Sequence, residues 1–298
     1  MYSLTGSLTP EPTADGSFTF FSEDFGEWFH SREGAYAEAF TTYGKATDLA
    51  ALSQKTTALT LLDVCYGLGY NTAAALTTIH QSNPTCEVTL VGLELDPRVP
   101  QQAIHENLTR GWSKTVQTHL TALAKEGKVD TPLLSARLLI GDARQQIQQL
   151  GLEQFQADVI FLDPFSPPHC PELWTVEFID QVAQCLKADG KLATYSCAAA
   201  VRSALRQAGL HIGPISASGR RWPGTLAQWQ PDGLSPLSLQ EQEHLITKAA
   251  VPYRDPLLKD NSDTIRDRRQ QEQQSSTLKP TSLWRKRWLA TNPKVKEI

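Results

Sequence analysis

The chain has 298 residues, 40% of them hydrophobic and 20% charged, so it can form one large α/β domain with appendages or two small domains. This composition excludes wholesale disorder, and no apolar run reaches the roughly 18 residues that a membrane helix needs. The net charge is −4, but twelve Lys and Arg against six Asp and Glu stand from Lys248 to the end, so an acidic body precedes a basic tail.

The termini and the cysteines point to a protein of the cytoplasm that has no membrane partner. The first 20 residues show no basic flank followed by an apolar core, as a secretory signal requires. The cysteines are odd in number and form no C-x-x-C pair, so we expect them to be reduced packing residues. They are Cys65, Cys86, Cys170, Cys185 and Cys197.

The first 57 residues are predicted to form an N-terminal extension. Residues 1–16 are polar and read as a loose terminus. "SFTFFS" (17–22) alternates in the manner of a strand, and "AYAEAFTTYG" (35–44) predicts a helix that ends at glycine.

Residues 58–232 show a repeated alternation of apolar strands and helical segments. The strands are "ALTLLDV", "EVTLVGLELD", "SARLLIGDA", "ADVIFLD" and "GKLATYS", and each precedes a helical segment. This alternation predicts a parallel sheet covered on both faces. "HIGPISAS" and "TLAQWQ" around the turn "GRRWPG" then predict a hairpin. A Rossmann-like doubly wound sheet, parallel with a C-terminal antiparallel hairpin, is the outline of a class I S-adenosylmethionine-dependent methyltransferase.

The alternation stops beyond the hairpin. Residues 233–266 are predicted to form a helical extension, with Ser238 as an N-cap and Glu241 three residues later. Residues 267–298 are predicted to form a flexible linker followed by a basic tail, because 267–281 have almost no apolar residue. Trp284 and Trp288 stand four residues apart and share one helical face.

A glycine-rich turn follows the first strand of the alternating region, in "DVCYGLGYNT". Gly67 and Gly69 let backbone approach a nucleoside, and Thr72 stands where a dinucleotide fingerprint has its third glycine. Glu94 ends the second strand, where it can accept both ribose hydroxyls, although an NAD site would use such an acid similarly. Asp142 can accept the adenine amino group, or it can be only a helix N-cap.

The fourth strand ends in "FLDPFSPPHCPELW", which resembles the D-P-P-[FYW] signature of amino-group methyltransferases. Asp163 can accept an N–H and orient the attacking nitrogen, and it can take a proton from an ammonium. Pro164 stiffens a loop that offers a backbone carbonyl as a second acceptor, and Phe165 offers a ring for a base to stack on. The alternative is a rigid proline loop with a capping aspartate.

The chain also resembles one family over roughly residues 17–230. "DVIFLDPFSPPHCPELW" is similar to the "FLDGFAPxxNPxMW" segment of the methyltransferase domain of MnmC, the tRNA 5-methylaminomethyl-2-thiouridine biosynthesis protein. "DVCYGLGYNT", "GKLATYSCAAAVRSALRQAGL" and "GRRWPGTLAQW" extend the likeness. "FFSEDFGEWFHSREGAYAEAF" is similar to the family's segment over the active site, and "AVPYRDP" (250–256) resembles stand-alone members. Pro164 replaces the family's glycine, and no flavin oxidase domain is expected here.

The resemblance implies the residues of the site. Those predicted to bind S-adenosylmethionine are Tyr66, Gly67, Gly69, Asn71, Glu94, Asp142 and Ala143. Those predicted to meet the amine are Asp163, Pro164 and Phe165. Those predicted to bind the substrate are His30, Ser31, Glu38, Arg220 and Arg221. No FAD and no metal are expected.

The resemblance implies N-methylation of the aminomethyl group of 5-aminomethyl-(2-thio)uridine at the wobble position of tRNA. The anticodon loop is single-stranded, so this uridine can be splayed out, and the basic tail could attract phosphates. The tail could instead dock its tryptophans on the protein's own surface. Two other functions remain open at this point: methylation of adenine N6 or a small-molecule amine, and a catalytically silent RNA-binding adaptor.

Overall fold

The computed structural model describes residues 6–215 and 223–289. Arg220 and Arg221, two of the predicted substrate-binding residues, lie outside the described residues. Within the described part, no helix is both long and apolar enough to cross a membrane.

The described strands form two sheets. The N-terminal sheet consists of β1 (Pro10–Pro12), β2 (Phe18–Ser22) and β3 (Glu27–Trp28), all antiparallel. The central sheet consists of β4 (Ala58–Val64), β5 (Glu87–Glu94), β6 (Lys128–Thr131), β7 (Leu134–Ile140), β8 (Ala157–Leu162), β9 (Leu186–Thr194), β10 (His211–Pro214) and β11 (Thr225–Gln228).

The described helices precede, separate and follow these strands. They are α1 (Ala35–Glu38), α2 (Leu49–Lys55), α3 (Tyr70–Ser82), α4 (Arg98–His105), α5 (Lys114–Glu126), α6 (Ala143–Leu152), α7 (Val176–Gln184), α8 (Ala199–Gln207), α9 (Leu239–His244), α10 (Ser262–Ser275) and α11 (Thr281–Leu289).

The central sheet has the order β6-β7-β5-β4-β8-β9-β11-β10. The five strands from β7 to β9 are parallel, and β11 and β10 continue the sheet as an antiparallel hairpin. The strand order reverses at β4, so a crevice opens at the carboxyl ends of β4 and β8. The predicted α/β fold and its hairpin are confirmed, whereas β6, an antiparallel edge strand, and α5 were not predicted.

Both faces of the sheet are covered by helices, and strand residues alternate between the two cores. Leu61 and Phe161 pack on one face with α3, while Leu62 and Ile160 pack on the other with α7. All four side chains are fully buried. Burying such a side chain stabilises a fold by about 1.5–3 kcal/mol, so these two layers hold the sheet.

The N-terminal extension folds over the carboxyl edge of the central sheet. β2 begins at Phe18, whose backbone N–H donates to the Tyr70 hydroxyl at 3.1 Å, so it is tied to the first turn of α3. The helix predicted for residues 35–44 is short: α1 continues as a π-helix over Ala39–Lys45. Tyr43 in that segment is fully buried against Phe161, with ring centroids 5.4 Å apart.

The linker predicted from residue 267 is wrong, because α10 runs through it. Ile265 is its buried apolar residue. Arg269 attaches the helix by polar contacts. It donates to the carbonyls of Val251 and Ala249 at 2.7 and 3.0 Å, and its guanidinium lies over the Tyr253 ring. Hydrogen bonds from arginine therefore hold a helix whose composition predicted disorder.

The capped helix in the C-terminal extension is confirmed, and the tail packs on it. Ser238 and Glu241 form a capping box at the start of α9. Trp284 stacks on His244 with centroids 4.1 Å apart, and its indole N–H donates to the Gln240 carbonyl. Trp288 donates to Glu243 at 2.7 Å. Both tryptophans thus dock on the protein's own surface, as the alternative prediction had it.

Candidate active site

The carboxyl ends of β4, β5, β7 and β8 border one cavity of about 480 Å³. Its floor comes from the loops that follow these strands, and its roof comes from the N-terminal extension, including residues 21–32. Parallel strands place their carboxyl ends on one edge, so residues far apart in sequence meet here.

The glycine-rich turn after β4 wraps around a tyrosine ring. Cys65, Gly67 and Gly69 all have positive φ, of 69°, 56° and 82°. A Cβ on Gly69 would lie 2.6 Å from the Tyr66 hydroxyl, and one on Gly92 would lie 3.0 Å from the same ring. Tyr66 is only 3% exposed. The absence of a side chain at Gly69 therefore makes room for Tyr66, a reason that the sequence did not reveal.

Glu94 lies buried at the end of β5, with both carboxylate oxygens held by backbone. Oε2 accepts from the N–H of Gly67 at 2.8 Å, and Oε1 accepts from that of Asp96 at 2.9 Å. Burial raises the pKa of Glu94 to about 7, although these bonds oppose the shift. Each oxygen retains acceptor capacity, so the carboxylate can still bind the hydroxyls of a ribose.

Asp63, which sequence reasoning missed, lies fully buried beneath the turn. The Thr72 hydroxyl donates to its Oδ2 at 2.7 Å, while no side chain or backbone group of the described residues donates to Oδ1. Burial, with a smaller contribution from the nearby Glu94, raises the pKa of Asp63 to about 7. Thr72, which stands in place of the third glycine of the dinucleotide fingerprint, thus donates a hydrogen bond to the buried Asp63 carboxyl. Asp63 and Thr72 stand nine residues apart, a spacing that gives no periodic signal.

Asp142 both caps α6 and lines the cavity. Its Oδ1 accepts from the backbone N–H of Arg144 at 2.9 Å, as the N-cap alternative predicted. The Arg144 side chain also binds both carboxylate oxygens. If Asp142 also accepts the adenine amino group, as predicted, its carboxylate binds adenine and Arg144 at the same time. Ala143, the first residue of α6, lines the same wall.

Asp163 lies at the cavity directly after β8. Its Oδ2 accepts from the Asn71 amide at 2.8 Å, so Asn71, which was predicted to bind the cofactor, also holds the reacting loop. The Tyr195 hydroxyl donates to the Pro164 carbonyl at 2.8 Å. The loop was predicted to offer a backbone carbonyl as a second acceptor for the amine; the Pro164 carbonyl anchors the loop to the end of β9.

Phe165 is part of an aromatic cluster. Its ring stacks on Phe25 with centroids 4.6 Å apart and meets Phe29 edge-on at 4.9 Å. The Phe165 carbonyl accepts from the Trp174 indole at 2.8 Å. One face of the ring therefore already has an aromatic partner from the N-terminal extension.

Glu27 of β3 joins the extension to the reacting loop. Its carboxylate accepts from both the backbone N–H and the hydroxyl of Ser166. The predicted substrate residues His30, Ser31 and Glu38 also line the cavity, and His30 meets Tyr70 edge-on at 5.1 Å. Glu27 escaped prediction because a lone acidic residue on a short strand carries no recognisable pattern.

The structure brings most of the predicted residues to one place. The cavity wall includes Tyr66, Glu94, Asp142, Ala143, Asp163, Pro164, Phe165, His30, Ser31 and Glu38. Gly67, Gly69 and Asn71 contact members of this wall through the bonds and packing described above.

Comparisons with known proteins identify the family. A family profile described as S-adenosyl-L-methionine-dependent methyltransferase matches residues 102–230. An uncharacterised protein of Methanocaldococcus jannaschii is 30% identical over 270 residues, which cover 88% of this chain and 71% of that protein. The chain belongs to the family of S-adenosyl-L-methionine-dependent methyltransferases. The class I methyltransferase fold predicted from the strand pattern is confirmed.

Within this family, the chain is similar to proteins named for tRNA modification. The tRNA 5-methylaminomethyl-2-thiouridine biosynthesis bifunctional protein MnmC of Ralstonia nicotianae is 28% identical over 232 residues. These cover 74% of this chain but 34% of that protein, so the methyltransferase matches about a third of its relative. The crystal structure of MNMC2 from Aquifex aeolicus matches with a TM-score of 0.80 and 26% identity, covering 92% of this chain and 87% of that one.

The cavity of this methyltransferase fits the methyl donor of its family. Glu94 has a buried carboxylate at the end of β5, where the ribose would lie, and Asp142 has a partly exposed carboxylate on the adjoining wall. The turn at Gly67 brings backbone next to Glu94, as a nucleoside site at the end of the first strand requires. Tyr66, Glu94, Asp142 and Ala143 are the side chains that would hold the donor.

Proposed function

We propose that this methyltransferase N-methylates the aminomethyl group of 5-aminomethyl-(2-thio)uridine at the wobble position of tRNA. The product is the 5-methylaminomethyl nucleoside. One observation carries the proposal: Asp163, fixed by Asn71 at the end of β8, faces the same cavity as Glu94, in a chain similar to MNMC2 and to MnmC proteins.

Asp163 lies where a carboxylate can accept a hydrogen bond from the amine that is to be methylated. S-adenosylmethionine supplies, when bound, a methyl group on a positively charged sulfur. The carboxylate of Asp163 accepts an N–H of the incoming amine and turns its lone pair toward that methyl group. An ammonium has no lone pair, so the same carboxylate takes a proton from it first.

The loop that carries Asp163 is held from three sides. Tyr195 anchors the Pro164 carbonyl, Trp174 anchors the Phe165 carbonyl, and Glu27 anchors Ser166. Holding reacting groups in line accounts for a large share of catalysis when the leaving group is already good. These anchors keep Asp163 in place without a further rearrangement.

The roof of the cavity suits a single nucleoside. Phe25, Phe29 and Trp28 give it aromatic surface, and His30 and Ser31 add polar groups. A uridine splayed out of an anticodon loop can be received by aromatic side chains of this kind.

Mass spectrometry of modified nucleosides tests the proposal. We expect purified protein, given the donor and tRNA from cells that lack this gene, to convert 5-aminomethyluridines to their methylated forms. Methylated adenine, or methylation of a small amine only, would replace the proposed substrate. Binding of tRNA without methylation of any nucleoside would favour the adaptor.

A further inference from the structure

The C-terminal extension contacts the wall of the cavity at two places. Asp255 binds Arg144 at 2.9 Å, and the Ser262 hydroxyl donates to Glu172. Arg144 and Glu172 both line the cavity, and both are at most 5% exposed. Asp255 and Ser262 thus hold the wall of the donor site, although each stands more than 80 positions after its partner in the wall.

The guanidinium of Arg144 joins two carboxylates. On one side its Nη2 donates to Asp142 Oδ2 at 2.7 Å, and its Nε donates to both oxygens of that carboxylate. On the other side its Nη1 donates to Asp255 Oδ2 at 2.9 Å and to the Asp260 carbonyl at 2.8 Å. A planar guanidinium held in this way fixes the orientation of Asp142.

The Asp255 side chain is itself held by several hydrogen bonds. It is fully buried, and its Oδ1 accepts from the backbone N–H groups of Lys259 and Asp260 at 3.1 Å each. Its own N–H donates to Glu177 on α7 at 2.8 Å. A buried carboxylate needs such partners, because an unpaired one would be strongly destabilising. A continuous set of fixed contacts therefore runs from α7 through Asp255 and Arg144 to Asp142.

We propose that Arg144 and Asp255 are a positioning pair through which the C-terminal extension sets recognition of the donor's adenine by Asp142. A carboxylate has about four acceptor sites, and three N–H groups of Arg144 donate to Asp142 (the backbone N–H, Nε, which both oxygens share, and Nη2), so one acceptor site is left. Its side chain is 22% exposed, toward the cavity that it lines. The 6-amino group of adenine is the donor that this capacity fits. The inference rests on the chain's membership of the methyltransferase family, and it does not depend on which substrate receives the methyl group.

Calorimetry with two nucleosides tests the pair without any acceptor. S-adenosylhomocysteine carries the 6-amino group, whereas S-inosylhomocysteine carries a carbonyl oxygen there. We expect the native protein to prefer the adenine compound by at least about tenfold, since two acceptors would face each other in the other complex.

Asp255→Asn should remove this preference. An amide has one oxygen and cannot accept both from Arg144 and from the backbone of residues 259 and 260, so the guanidinium shifts and Asp142 turns. We expect the preference for adenine to fall to about twofold and the affinity for S-adenosylhomocysteine to fall about tenfold. A purely structural role would lower the melting temperature and leave the preference unchanged.

Asp158→Asn is the matched control. Asp158 accepts from Lys187 and from the backbone N–H of Thr60, at 2.9 and 2.7 Å, so it too pairs a cation and a backbone donor. It lies at the amino end of β8, opposite the cavity. The control should melt lower than the native protein yet keep the full preference for adenine.

Two results would overturn the proposal. One is an unchanged preference in folded Asp255→Asn, and the other is an equal loss of preference in Asp158→Asn. If Asp255→Asn does not fold, Arg144→Lys decides, because lysine keeps the charge but lacks the planar fork. A native preference in Arg144→Lys would then reject the pair, and a lost preference would support it.

Discussion

Three carboxyl groups at or beneath the cavity differ in their surroundings. Asp63 lies buried beneath the turn and accepts from Thr72, and Glu94 is held by two backbone donors. Asp163 is partly exposed at the cavity and accepts from Asn71. Because we propose that the incoming amine is bound at Asp163, we expect removal of this carboxylate to stop methyl transfer.

Asp163→Ala is expected to lower kcat by about 100-fold or more while changing donor affinity by no more than a few fold. Asn71→Ala should lower kcat less, by about tenfold, because the carboxylate remains but is no longer fixed. Steady-state kinetics and calorimetry with S-adenosylhomocysteine measure both. An active Asp163→Ala protein would remove this residue from the mechanism.

Donor binding should depend on pH through Glu94. Burial raises its pKa to about 7, so the carboxyl of the empty site is largely protonated at lower pH. Ribose hydroxyls bind the ionised form better, so affinity for S-adenosylhomocysteine should fall about tenfold from roughly pH 8 to pH 6.

Glu94→Gln is the control for this pH dependence. It should bind the donor more weakly, with an affinity that hardly changes over the same range. Equal pH slopes in the two proteins would exclude Glu94 as the group that controls donor affinity and leave Asp63, whose pKa burial also raises to about 7.

The raised pKa values of Glu94 and Asp63 also affect stability. As pH rises from about 4 to 7, ionisation of these two carboxyls in the folded protein lowers the free energy of unfolding.

At the scale of elements, the N-terminal sheet is a separate unit laid over the parallel sheet. It is attached to the reacting loop by the bonds from Ser166 to Glu27 and by the rings of Phe25 and Phe29 on Phe165. No strand of the N-terminal sheet pairs with a described strand of the central sheet. Contacts that involve side chains, and not strand pairing, therefore hold the roof over the cavity.

Glu27→Ala should loosen this roof. Ser166 loses the acceptor of both its donors, so we expect faster hydrogen exchange in residues 18–32 and an unchanged rate in the central strands. Glu33→Ala is the control, because Glu33 is exposed in the same segment. Exchange that is equally slow in both variants would show that the aromatic contacts suffice to hold the roof.

At the scale of the whole molecule, the basic tail packs on the folded body as far as residue 289, where the described residues end. Arg268 and Arg269 of α10 bind backbone carbonyls of residues 249–254, and Arg287 pairs with Glu243 at 2.8 Å. Truncation before Asp267, the natural test of an RNA-binding tail, would therefore remove structural contacts as well. Arg285 and Lys286 remain exposed on the docked helix α11.

Replacing Arg285 and Lys286 by Ala tests the tail without undocking it. If both reach phosphates of the proposed tRNA, binding weakens and the slope of log affinity against log salt falls by roughly two. Trp284→Ala, which releases the helix from His244, serves as the comparison. Unchanged tRNA binding in the double variant would leave α11 with a docking role alone.

Sequence patterns were enough to predict the layered fold and the edge of the sheet at which the predicted site residues meet. Continuous apolar strands such as "ADVIFLD" must be buried on both faces, and a parallel sheet gathers the residues at their ends. Glu94, Asp142 and Asp163 were therefore predictable as neighbours at one cavity. The capping box at Ser238 was also predictable, because a capping box is local in sequence.

Which contacts these residues make could not be predicted, because the contacts join segments that are far apart in the sequence. Asn71 binds Asp163 across 92 positions, and Arg144 binds Asp255 across 111. The order of α10 depends on arginines that reach carbonyls of another segment, and Gly69 makes room for the Tyr66 ring. Such contacts leave no periodic or local pattern, because they depend on where distant segments lie after the sheet has formed.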